Sequence, residues 1–289
     1  MTSLKESSYP LQPLRIAVAQ AAAASGDIPE NVRRATAMIG EAARGGARLA
    51  VFPEKYLTGY VPEIIVTDPE LYALSPGDER LEPIRQACRE HGIAAIVGAP
   101  TREGDDLYIS SIVIDSSGAD LHVSHKAHLF HSEKGVFKSG GKRTLLKIGD
   151  WTIGLGICYD AGFPEHSRLL AQAGCHVYLV SSLFSKGMGY QESRVWFPAR
   201  ALDNTVFAVM ANHAGKTGVW DACGGSAVWD PYGRLIAEAS ESEPEVIFAE
   251  LDPGLLREAR ASEQMLADSA DLAQPEAIVA VRAGGNERA

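Results

Sequence analysis

The order of its apolar runs constrains this chain most. A run at Leu14–Gln20 is followed by Asp27-Ile28-Pro29-Glu30, which predicts a helix start with proline in the first turn and a helix reaching about Gly45-Gly46. A buried strand is expected over 48–52 and a helix over 78–90 closed by His91-Gly92. Strands over 93–98, 107–114 and 121–126 come next, with Ser116-Ser117-Gly118 as the turn between the last two. From Trp151 the order recurs: strand 151–157, helix 164–173, strand 176–181, helix 190–203 and strand 205–211. A hairpin over 226–229 and 235–239, turning at Asp230-Pro231-Tyr232-Gly233, and a strand over 245–251 close the pattern. The repeat is one of element order, not of residues.

Two β-α-β-α-β halves, each closing in a hairpin, predict an α/β fold: a four-layer α-β-β-α sandwich of two mixed sheets with outer helices. Residues 1–13 are expected to form an N-terminal extension and 14–254 the domain. Residues 255–289 are expected to form a C-terminal helix and an Ala/Glu/Gly-rich tail, either frayed or packed on a neighbouring subunit. A length of 289 residues is ample for a substantial core.

Charge narrows the partners. A formal net charge of -10, with no Lys/Arg run, argues against nucleic acid. The N-terminus Met-Thr-Ser-Leu-Lys-Glu lacks the apolar centre of a secretory signal, and no apolar run approaches the about 20 residues of a membrane helix, so a cytoplasmic protein is expected. Cys88, Cys158, Cys175 and Cys223 are far apart with no C-x-x-C pair, which fits free thiols rather than a disulfide framework or a zinc site. His122, His125, His128 and His131 recur every third residue, but on a strand that spacing alternates faces, and Lys126 among them opposes a cation. No metal is expected. Gly154-x-Gly156 lacks the third glycine of a dinucleotide fingerprint, and no cofactor is expected.

Three reactive side chains close apolar runs: Glu54 in Val-Phe-Pro-Glu, Lys126 in Ser-His-Lys-Ala-His-Leu-Phe and Cys158 in Gly-Ile-Cys-Tyr-Asp. Strand ends are where a scaffold holds side chains rigidly and leaves their tips open to a ligand. Each has a plainer alternative. Cys158 either sits on an elbow between strand and helix, exposed to attack a carbonyl, or packs as a small hydrophobe. Glu54 is either a base or a surface carboxylate. Lys126 either stabilises negative charge beside them or extends its ammonium to water. Together, a nucleophile, a base and a cation meet the requirements of acyl transfer from an amide.

These residues resemble the nitrilase superfamily of carbon-nitrogen hydrolases, in its amidase-like branch. The similarity lies in Phe52-Pro53-Glu54, Lys126-Ala127-His128-Leu129-Phe130, and Gly156-Ile157-Cys158-Tyr159-Asp160 followed by Phe163-Pro164-Glu165. Arg200-Ala201-Leu202-Asp203-Asn204 and Gly225-Ser226 add to it, so the resemblance spans about residues 14–251. It implies a Glu54-Lys126-Cys158 triad working through a thioester, with the Tyr159 amide at the oxyanion and Glu133 positioning substrate. It also implies a small-molecule amide or nitrile substrate and a homodimer or higher homo-oligomer.

One departure bears on substrate. Many relatives carry an arginine four residues after the cysteine, where this chain has Gly162 after Ala161. An arginine there grips a substrate carboxylate by paired hydrogen bonds. Its absence counts against N-carbamoyl amino acids and ω-amides of oxo-acids unless Lys186 or Arg194 supplies the charge. The residues after the cysteine also differ from the Cys-Trp-Glu of nitrilases. By family position Tyr60, Phe184, Lys186, Tyr190 and Trp196 are candidate pocket walls. The competing reading from another class is a binding protein that keeps the fold without catalysis.

Overall fold

The computed structural model describes residues 9–269. The first half holds β1 (Leu14–Gln20), α1 (Ile28–Arg44), β2 (Leu49–Val51), the short helices α2 (Pro62–Thr67) and α3 (Pro69–Tyr72), α4 (Glu82–His91), β3 (Ala94–Glu103), β4 (Asp106–Ile114) and β5 (Asp120–His125). The second holds β6 (Thr144–Ile148), β7 (Trp151–Ile157), α5 (Pro164–Gln172), β8 (Val177–Ser182), α6 (Met188–Asn204) and β9 (Phe207–Asn212). A ribbon of β10 (Ala214–Thr217) and β11 (Trp220–Cys223) leads to β12 (Ala227–Trp229), β13 (Leu235–Glu238), β14 (Glu245–Leu251), α7 (Pro253–Ser262) and α8 (Met265–Asp268).

One sheet has the order β14-β1-β2-β3-β4-β5, the other β13-β12-β9-β8-β7-β6. Each has three parallel strands at its centre, β1-β2-β3 and β7-β8-β9, with antiparallel strands outside them. The last strand does not extend the second sheet. It crosses to the first and pairs antiparallel with β1, Leu14 opposite Leu251.

Strand alternation produces the layers. On β1, Ile16 and Val18 join Val51, Ile96, Ile153, Leu179 and Val209 in the core between the sheets. Ala17 and Ala19 point the other way, against Val32, Ala35 and Ile39 of α1 and Ile84 of α4. The second sheet repeats this, with Tyr178, Val180 and Ala208 packing on Leu170 of α5 and Phe197 of α6.

The local signals act as their chemistry requires. Asp27 caps α1 by accepting the Glu30 N–H, with Pro29 in the first turn. Gly92, at φ 63°, ends α4 in the left-handed conformation that glycine adopts readily. The helix expected over 78–90 is split: a 3-10 turn spans Glu79–Leu81, and α4 begins at Glu82 with Pro83 in its first turn. Strand β6 and the β10-β11 ribbon lie in stretches with no predicted element. Residues 1–8 of the expected N-terminal extension and the tail from 270 onward lie outside the described residues. No helix among the described residues is long and apolar enough to cross a membrane.

Candidate active site

Strand β2 is wholly buried and delivers the chain to Phe52, Pro53 and Glu54. The turn is held from both sheets. Lys55 adopts φ 48°, and Gly98 of β3 passes directly beneath, where a Cβ would stand 2.1 Å from the Pro53 carbonyl oxygen and 2.6 Å from the Lys55 nitrogen. Only glycine permits that approach. From the second sheet, His213 Nε2 donates to the Glu54 carbonyl at 2.6 Å. Burial pulls the His213 pKa down to about 4, so the imidazole making that bond is neutral at neutral pH.

Lys126 follows β5 at once. Its Nζ donates to Glu54 Oε1 and to Glu133 Oε1, each at 2.8 Å, and none of the three side chains has exposed surface. Glu133 also accepts the Tyr60 hydroxyl and, at 2.8 Å, the Phe130 N–H. Charges this deep need such partners, because an unpaired one costs several kcal/mol. Burial raises the Glu54 pKa above the usual carboxylate range, although Lys126 opposes the rise. Burial would lift Glu133 too, but Lys126, Lys55 and the hydrogen bonds hold it below that range. Burial disfavours the Lys126 charge, yet the buried acidic groups around it, Glu54 foremost, outweigh that cost and raise its pKa, so the ammonium keeps its proton.

A second buried lysine adjoins this pair. The Lys55 Nζ has no hydrogen-bond partner and stands 3.3 Å from the centre of the Tyr60 ring. Burial draws its pKa down to about 8 against the pull of Glu54 and Glu133.

Cys158 leaves β7 at φ 48° and opens the 3-10 turn Cys158–Gly162, after which Pro164 starts α5. This is the elbow geometry, strained for a residue with a Cβ. The thiol donates to the Leu183 carbonyl at 3.4 Å, and burial, reinforced by Glu54, pushes its pKa well above that of a free cysteine. Asp160 joins this turn to the lysine segment: it accepts the Ile157 N–H at 3.0 Å and the Ala127 and His128 N–H groups at 3.3 and 2.8 Å. Arg200 of α6 holds the far end, donating to the Ala161 and Gly162 carbonyls at 3.0 and 3.2 Å.

Above Cys158 opens a cavity of about 210 Å³ walled by Tyr60, Phe130, Tyr159, Phe184, Trp196 and Trp220. Of the predicted walls, Tyr60, Phe184 and Trp196 line it. Lys186 is paired with Asp221 at 3.1 Å, and Tyr190 lies under the Arg194 guanidinium at 4.9 Å; neither lines the cavity. The four histidines take separate partners. His122 bonds to Thr144, His125 to Ser110 and Glu103, and His128 to Asp160, while His131 packs on Phe130. Among the described residues no group of three or more His, Cys, Asp or Glu is placed to hold a metal.

Sequence reasoning passed over Asp160, Lys55, Phe130 and Glu192. Asp160 stands inside the cysteine motif and could have been singled out there. Lys55 directly follows Glu54, but nothing local says that its ammonium is buried. Trp220 lines the cavity because the β10-β11 ribbon carries it there.

Fold and site define an α/β enzyme with a carboxylate, an ammonium and a thiol gathered at the strand ends of two facing sheets. The carbon-nitrogen hydrolase family model matches residues 15–261, and the chain belongs to that family, within the nitrilase superfamily. It is 34% identical over 259 residues to an (R)-stereoselective amidase of Pseudomonas sp., covering 88% of this chain and 91% of that one. It is 33% identical over 233 residues to a nitrilase of Pyrococcus abyssi, covering 80% and 87%. Among solved structures, an amidase from Nesterenkonia sp. AN1 in complex with butyramide superposes with a TM-score of 0.76 at 29% identity, covering 86% of this chain and 95% of that one.

Proposed function

We propose that this enzyme hydrolyses small amides to a carboxylic acid and ammonia through a thioester on Cys158. The observation that carries the reading is the Lys126 ammonium, bonded to Glu54 and Glu133 at 2.8 Å each, in the buried layer next to a thiol that opens into a cavity. Glu54 Oε2 has no hydrogen-bond partner and is available to take a proton. Burial raises the Glu54 pKa, which makes the carboxylate a stronger base and suits a group that both accepts and returns a proton.

The steps follow from these roles. Glu54 takes the Cys158 proton as sulfur attacks the carbonyl carbon, and the electron pair of the C=O moves onto oxygen, where the Lys126 ammonium and the Tyr159 N–H stabilise it. The oxyanion collapses, the C–N bond breaks, and the proton on Glu54 leaves with nitrogen as ammonia. Glu54 then takes a proton from water, whose oxygen attacks the thioester, and returns it to the departing Cys158 sulfur. Glu133 orients Lys126 and the substrate amide. A protein with a net charge of -10 and four free cysteines suits a cytoplasmic setting, and we read it as a homo-oligomer, as family resemblance implies.

The test is a panel of amides, nitriles and N-carbamoyl amino acids, with ammonia release and intact mass followed together. Amide turnover with an acyl adduct that is lost in Cys158→Ala is the expected result. Turnover confined to nitriles or carbamoyl compounds would move the enzyme to those classes, and an inert, folded protein would leave a binding function. Near-normal activity of a folded Glu54→Gln variant would exclude Glu54 as the base.

A further inference from the structure

The cavity wall above Cys158 is mostly aromatic and apolar, with Tyr60, Phe130, Phe184, Trp196 and Trp220 beside Leu183 and Met188, and it holds one carboxylate. Met188, Glu192 and Trp196 lie at i, i+4 and i+8 on α6, so one stripe of that helix faces the cavity and places the Glu192 carboxylate in its lining. Glu192 bears the only carboxylate in the lining, which holds no Lys, Arg or His, and among the described residues no cation pairs with it. Below the cavity the charges balance, Glu54 and Glu133 against Lys126 and Lys55. The cations nearest in sequence are engaged elsewhere: Lys186 with Asp221 at 3.1 Å, Arg194 with Glu238 at 2.7 Å and with the Gly225 carbonyl. At Gly162 a Cβ would stand 3.1 Å from the Trp196 indole, so a larger residue there would need that ring to shift.

We propose that this cavity selects amides whose acyl chain carries a cationic group, with Glu192 as the counter-charge and the aromatic walls as its cage. The inference rests on the amide-hydrolase reading above. A carboxylate beside indole faces attracts an ammonium both by ion pairing and by the ring quadrupoles, and it repels a substrate carboxylate. The cavity therefore discriminates by charge in the direction opposite to an arginine-lined pocket.

Three amides on one four-methylene stem test this: hexanamide, 5-aminopentanamide and adipamate, ending in methyl, ammonium and carboxylate. The expected kcat/KM favours 5-aminopentanamide over hexanamide by about five- to tenfold, disfavours adipamate, and loses contrast as salt rises. In Glu192→Gln the ammonium-to-methyl ratio should fall close to one, and in Glu192→Lys the order of ammonium and carboxylate should invert. A wild-type ratio of one or less, or a ratio that survives Glu192→Gln, overturns the proposal. If hexanamide is still hydrolysed through a Cys158 adduct, only the selectivity falls and the hydrolase reading stands. If all three amides are inert, that reading falls. Calorimetric binding to Cys158→Ala then still decides the selectivity: equal affinity for 5-aminopentanamide and adipamate overturns it, and a preference for the ammonium upholds it.

Discussion

Asp160 grips His128 twice, its Oδ1 accepting both the main-chain N–H and the imidazole Nδ1–H at 2.8 Å. Because the same carboxylate accepts the Ile157 N–H, the turn that presents Cys158 and the segment that presents Lys126 share one anchor. The fold brings these segments from different sheets, β7 and β5, so their mutual placement depends on such a cross-link. Asp160 accepts N–H groups from both segments and so fixes one against the other.

Asp160→Asn replaces an acceptor of several N–H groups with a group that has one acceptor oxygen and a competing donor. Loss of stability on the order of 2–4 kcal/mol is expected, with a fall in kcat larger than any change in KM. Burial would raise the Asp160 pKa, but the His128 hydrogen bond and the neighbouring N–H groups hold it below the ordinary value. A depressed carboxylate contributes stability above its unfolded pKa of about 4 and loses it as pH falls through the folded value. Urea midpoints from pH 7 downward should therefore converge for wild type and variant in acid. Parallel curves would show that the ionised carboxylate is not the anchor.

Gly98→Ala tests the turn beneath Glu54. The added Cβ would stand 2.1 Å from the Pro53 carbonyl oxygen, with backbone rather than a flexible side chain as the obstacle. The chain must shift, which costs about 2–3 kcal/mol and displaces Glu54 from the Lys126 ammonium. Thermal unfolding and kcat are expected to fall together. An unchanged kcat in a destabilised protein would mean that the Glu54 turn tolerates the shift.

Motifs and periodicity made the strands and long helices legible because both depend on neighbours in the chain: the Asp27 cap, Gly92 at the end of α4, and the alternation of β1 between two cores. Glu54, Lys126 and Cys158 stood out for the same reason, each after an apolar run. What joins them was not legible. The Glu54–Lys126 bond spans 72 residues, the Glu54–His213 bond 159, and the Asp160–His128 bond 32. The β10-β11 ribbon escaped because its two four-residue strands are too short to show apolar alternation. The burial of Lys55 escaped because a lysine after a strand is usually solvated.

Lys126→Met removes the ammonium shared by two buried carboxylates. Destabilisation of about 3–5 kcal/mol is expected, because Glu54 and Glu133 are left facing each other without their hydrogen-bonded cation. Adding Glu133→Gln should recover part of that loss, since a neutral amide needs no counter-charge. A double-mutant cycle in urea measures the recovery. Strict additivity would show that Lys126 and Glu133 are not energetically coupled.

Lys55 gives the last test, because its chemistry has a defined sign. Its ammonium is surrounded by Glu54, Glu133, Lys126 and Cys158, and burial brings its folded pKa from 10.5 down to about 8. The folded state thus binds the proton less readily than the unfolded chain. The penalty is fully present below about pH 8 and is relieved as pH rises toward the unfolded value, so this group makes stability increase across that window. Lys55→Met should flatten the increase and raise stability at pH 7 by up to about 3 kcal/mol, reduced by the lost contact with the Tyr60 ring. Activity should respond differently. Without this positive neighbour Glu54 protonates at higher pH, so the acid limb of kcat/KM should move upward, and Lys55→Arg should restore it. Chemical denaturation from pH 7 to 10.5 and a pH–rate profile read the two effects separately. An acid limb that stays in place would show that Lys55 does not bear on the ionisation of Glu54.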